Sequence, residues 1–92
     1  MIGSFKDRRL KRLYEAGDRS KLAPEHVEKI ENILARLEAA ATIEDMNLPG
    51  FRLHPLKGDL KGVWSVTVRA NWRIIFRFEN GTALDVELTD YH

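Results

Sequence analysis

Ninety-two residues, 43% of them hydrophobic, predict one small domain spanning residues 1–92 with a modest core. The absence of cysteine excludes a disulfide framework, a thiolate metal site and a cysteine nucleophile. The formal net charge is only +1, but it is unevenly spread. Residues 1–21 carry seven Lys/Arg against three acids, and 49–78 carry six against one; residues 22–48 carry two against six, and 79–92 carry four acids with no Lys or Arg. Such a chain can face phosphate with one side and present acid elsewhere, although ordinary solvated faces give the same pattern.

Residues 2–5 read as a short opening strand and residues 6–16 as a helix with Leu10, Leu13 and Tyr14 on one face. Gly17 suits a left-handed stop. After a connector over residues 18–23, Pro24 opens a second helix, where its missing N–H costs nothing. Glu25 and Glu28 fall in its first turn. Val27, Ile30, Leu34, Leu37 and Ala41 recur at amphipathic helical spacing. His26, among surface-helix residues, reads as structural.

The period then changes. Pro49-Gly50 marks a turn, and residues 51–54 read as a short strand. Trp64, Val66 and Val68 alternate with Ser65, Thr67 and Arg69. Trp72, Ile74, Phe76 and Phe78 alternate with Arg73, Ile75 and Arg77; past the Asn80-Gly81 hairpin signal, Leu84, Val86 and Leu88 alternate with Asp85 and Glu87. The predicted fold class is α+β, with two N-terminal helices on one face of a mostly antiparallel, curved sheet. Arg73 and Arg77 should point from the opposite face, a basic floor for a phosphate backbone.

Six polar residues are candidates for chemistry: His54, Lys57, Arg73, Asp90, Tyr91 and His92. RNA carries its own nucleophile, the 2′-hydroxyl. A nuclease acting on it without a metal needs a base, cations around the phosphorane and an acid at the leaving oxygen. His54 and His92 suit proton transfer because imidazole titrates near neutrality. Lys57 and Arg73 suit the growing phosphate charge. Asp90 could orient a histidine or act as base, and Tyr91 could stack on a nucleotide. Each has a plainer reading: a turn histidine before proline, an ordinary Lys-Gly-Asp turn, an Arg73 paired with Asp85 or Glu87, a frayed terminus. The three histidines lack metal-ligand spacing, so no metal or cofactor is expected. No apolar run reaches membrane-spanning length and the charged start lacks a signal core, so the expected setting is cytoplasmic, with no membrane partner.

The segments Leu53-His54-Pro55-Leu56-Lys57-Gly58-Asp59, Gly62-Val63-Trp64-Ser65-Val66, Asn71-Trp72-Arg73-Ile74-Ile75-Phe76 and the closing Asp90-Tyr91-His92 together resemble the HigB branch of the RelE/ParE toxin superfamily. Ile2-Gly3-Ser4-Phe5-Lys6 and Leu10-Lys11-Arg12-Leu13-Tyr14 are similar too, so the likeness covers essentially the whole chain. The resemblance implies the toxin of a type II toxin–antitoxin pair. Such a toxin is a ribosome-dependent endoribonuclease that cuts translated mRNA in the A site by 2′-hydroxyl attack, without metal, using the six residues above. It implies as partners a HigA-type helix-turn-helix antitoxin, the 70S ribosome and mRNA, with operator DNA reached only through the antitoxin. The alternative is a ParE-like toxin that inhibits DNA gyrase and performs no chemistry. Such a binder has no need of His54, Lys57, Arg73 and His92 together.

Overall fold

The computed structural model describes residues 1–90. Helix α1 (Arg8–Ala16) starts two residues later than the sequence predicts, because Asp7 caps it by accepting the Arg9 amide at 3.0 Å. Gly17 ends it with φ 67°, as expected. Helix α2 (Pro24–Ala39) starts at the predicted proline and buries Val27, Ile30, Ile33, Leu34 and Leu37. It stops before Ala41; the neighbouring Ala40 takes the buried position instead.

The sheet has four antiparallel strands in sequential order: β1 (His54–Pro55), β2 (Val63–Arg69), β3 (Trp72–Glu79) and β4 (Thr82–Asp90). Short 3-10 turns at Ile43–Met46 and Gly58–Leu60 lie in the connections. Leu10, Ile30, Ile33, Leu37, Val66, Ile74, Phe76 and Val86 form a fully buried core between helices and sheet. The predicted α+β layering is therefore what the chain adopts. His26 is structural: it is buried, its ring 5.7 Å from that of Trp72.

Three strand expectations need correction. The opening segment makes isolated parallel bridges to β4, at Ile2 and Phe5, and no continuous strand: Gly3 donates to the Ala83 carbonyl at 2.7 Å and Lys6 to that of Val86 at 3.0 Å. Strand β4 carries a bulge, with Asp85 (φ 54°) and Val86 together facing Phe76. That extra residue moves Leu84 off the core face and puts Ala83 there; the Ser4 hydroxyl accepts the Asp85 amide at 2.9 Å. Finally, residues 51–54 do not form one strand, because Arg52 has φ 50° and turns the chain sharply before His54.

The face away from the helices is also less open than the alternation predicts. Leu56, Val63 and Ile75 form a second, small apolar cluster there, with Ser65 buried on the same face.

Candidate active site

Cross-strand partners share a face, so the register fixes what stands beside what. His54 pairs with Ser65, Ser65 with Ile75, and Ile75 with Glu87, forming one row across the sheet. The next row is Thr67, Arg73 and Thr89. His54 and Arg73 therefore stand on the same face, two strands and one row apart, about 12 Å between their Cα atoms by standard strand spacing and rise. Lys57 lies three residues beyond His54, in the direction away from Arg73. Asp90 closes β4 opposite Trp72, one position from the Arg73–Thr89 pair. Tyr91 and His92, the remaining two candidates, lie outside the described residues.

His54 is exposed, and its ring is oriented. Nδ1 lies 3.2 Å from the Arg52 carbonyl oxygen. A carbonyl only accepts, so Nδ1 carries the proton and the neutral ring keeps Nε2 as a proton acceptor. The left-handed backbone at Arg52 aims that carbonyl. Arginine is an uncommon residue for this conformation, and nothing in the local sequence marks it.

Arg73 makes neither of the ion pairs considered for it. Its guanidinium donates to the Ala70 carbonyl in the β2–β3 turn and to the Trp72 carbonyl at 3.3 Å. Asp85 pairs instead with Arg77, at 3.9 Å. The turn thus holds Arg73 through two backbone carbonyls, Ala70 and Trp72. Lys57 is exposed in the loop after β1.

Sequence reasoning passed over Ser65. It is 1% exposed, and its hydroxyl has no hydrogen-bond partner among the described residues. An unpaired buried hydroxyl costs on the order of 1–3 kcal/mol. Ser65→Ala should therefore keep or raise the melting temperature; a drop of several degrees in a thermal melt would show that the hydroxyl is satisfied in solution.

Compared with known proteins, residues 3–92 match the family model for HigB, described as a RelE-like toxin of a type II toxin–antitoxin system. The chain belongs to the HigB-like toxins. Among relatives, it is 47% identical to endoribonuclease HigB of Proteus vulgaris over 92 residues, the full length of both chains. It is 39% identical to toxin HigB-1 of Vibrio cholerae serotype O1, covering 96% of this chain and 95% of that one. The fold of this HigB-like chain also resembles that of one chain in the YoeB–YefM toxin–antitoxin heterotetramer of Staphylococcus aureus. There the TM-score is 0.64 at 16% identity, covering all of this chain and 95% of that one, a likeness of fold alone.

Proposed function

We propose that this HigB-like toxin is an endoribonuclease that cuts translated mRNA on the ribosome by attack of the RNA's own 2′-hydroxyl. The observation that supports this reading most is that an oriented imidazole, His54, and a guanidinium held by the β2–β3 turn, Arg73, stand on one face of the sheet. Nε2 of His54 takes the 2′-hydroxyl proton as O2′ attacks the adjacent phosphorus. Arg73 and Lys57 hold the charge that grows on the non-bridging oxygens. The bond to the 5′-oxygen breaks, and that oxygen leaves with a proton from the closing Asp90-Tyr91-His92 segment. The products are a 2′,3′-cyclic phosphate and a 5′-hydroxyl. In this reading Tyr91 lies against the nucleotide.

Metal plays no part in these steps, and every charge they need is supplied by the chain. Expected partners are a HigA-type antitoxin, the 70S ribosome and mRNA. No helix of the described residues is long and apolar enough to cross a membrane; the proposed setting is the cytoplasm, where the substrate is. An acidic stretch on α2 and a basic one on α1 leave two chemically distinct surfaces for antitoxin and ribosome.

The test is cleavage of an end-labelled message by the purified protein, with and without programmed ribosomes. Cuts within the A-site codon only when ribosomes are present support the proposal. An intact message in both, with inhibition of DNA gyrase by the same preparation, would replace it with the ParE-like reading.

A further inference from the structure

Beyond the row that holds His54 lies a hollow of about 400 Å³ between the end of β1, the Gly58–Leu60 turn and the start of β2. Pro55, Leu56, Val63 and the half-buried Trp64, which also packs against the main core, supply apolar wall, and Lys57 and Lys61 line it beside them. No acid lines it. The Arg77 guanidinium, which pairs with Asp85, lies just outside it: Gly62 has φ 92°, and a Cβ there would lie 3.1 Å from an Arg77 guanidinium nitrogen. That φ favours glycine at the turn.

Charge separates this hollow from another of similar size. The groove between α1 and α2, lined by Leu13, Tyr14 and Leu34, has Glu31 and Glu38 on its wall and would repel a phosphate. An apolar wall that includes an indole, with lysines beside it, has the composition that takes a nucleobase and its phosphate together. The volume falls within the range of small-ligand sites.

We propose that this hollow is a nucleotide subsite, which receives a base flanking the scissile phosphate and holds its phosphate with Lys61. The proposal rests on the endoribonuclease reading above and adds the place where the RNA is gripped outside the reacting bonds. Lys57 is at most about 10 Å along the chain from His54, which keeps the subsite within a nucleotide or two of the cut. The base stacks against Trp64, and Lys61 is a binding residue with no part in proton transfer.

Two measurements test it. On programmed ribosomes, Lys61→Gln should raise KM several-fold with kcat nearly unchanged, and Lys61→Arg should restore it. Trp64→Leu should lose roughly 5- to 100-fold in kcat/KM on an intact message and much less when the flanking nucleotide is abasic, since stacking contributes on the order of 1–3 kcal/mol per base. Unchanged KM in Lys61→Gln, with wild-type cutting intact, overturns the subsite but not the nuclease. The second measurement needs no ribosome: titration of the ¹⁵N-labelled wild-type protein with adenosine 5′-monophosphate. Shifts at the Gly58 and Gly62 amides and the Trp64 indole support the subsite even if the wild type cuts no message. Their absence, or shifts confined to the Arg73 end, contradicts it.

Discussion

His54→Gln is expected to slow cleavage on programmed ribosomes by about 10²–10⁴-fold, the usual contribution of a positioned general base. The side chain is exposed and, among the described residues, bonds the nearby Arg52 carbonyl, so the substitution should leave the melting temperature within a few degrees of wild type. Glutamine can keep that bond through its amide N–H, but it has no basic nitrogen. The loss should therefore fall on kcat rather than on KM. Equal cleavage by a folded His54→Gln protein would remove His54 from the chemistry and leave Arg73 with only a binding role. A loss confined to KM would make His54 a contact to RNA.

Asp7→Ala is expected to cost about 2–4 kcal/mol, the sum of a lost N-cap and a buried amide left unpaired. Asp7 is buried, and one carboxylate serves three groups. It accepts the Arg9 amide at 3.0 Å, pairs with the Arg9 guanidinium at 2.8 Å and accepts the Leu88 amide at 3.1 Å. It thus ties the start of α1 to β4, two residues before Asp90. For a chain of this size the cost corresponds to roughly 10–20 °C in melting temperature. Burial alone would raise the Asp7 pKa, but the hydrogen bonds from Arg9 and the Leu88 amide outweigh it and hold the group below its ordinary 3.8. A folded-state pKa below the unfolded one gives stability that is complete above about pH 4 and is lost as pH falls through the lowered value. Denaturant melts from pH 7 to pH 2 should therefore show a steeper acid loss in wild type than in Asp7→Ala. Parallel losses would assign the acid sensitivity to other carboxylates.

Most of the architecture was legible because it is set by local periodicity. The residue-by-residue alternation from Val63 to Phe78 placed Ile74 and Phe76 in the core and Arg73 on the far face, as observed. Asn80-Gly81, at φ 50° and 78°, makes the hairpin that its composition announces. What could not be read depends on partners distant in sequence. The bulge at Asp85 rests on Ser4, 81 residues away, and Asp7 meets Leu88 across the same span. Arg52 and Ala70 adopt left-handed conformations without the glycine that would have flagged them.

At the candidate site, residue types were legible and their orientation was not. The identity of His54, Lys57, Arg73 and Asp90 is plain in the sequence. The carbonyl that fixes the His54 ring and the turn that holds Arg73 arise from backbone placement. Lys61 and Trp64 were passed over because a lysine in a Leu-Lys-Gly stretch and an aromatic in a strand are ordinary in isolation; only the fold sets them around one hollow.

The central claim is that the chain's own side chains direct the RNA's 2′-hydroxyl at the adjacent phosphate. The most direct measurement is cleavage of two messages on programmed ribosomes, identical except for a single 2′-deoxy substitution at the nucleotide preceding the cut. The account predicts a cut with a 2′,3′-cyclic phosphate end in the all-ribose message and none at that position in the other. Undiminished cutting at the deoxy position would contradict it, because another nucleophile would then be attacking the phosphorus.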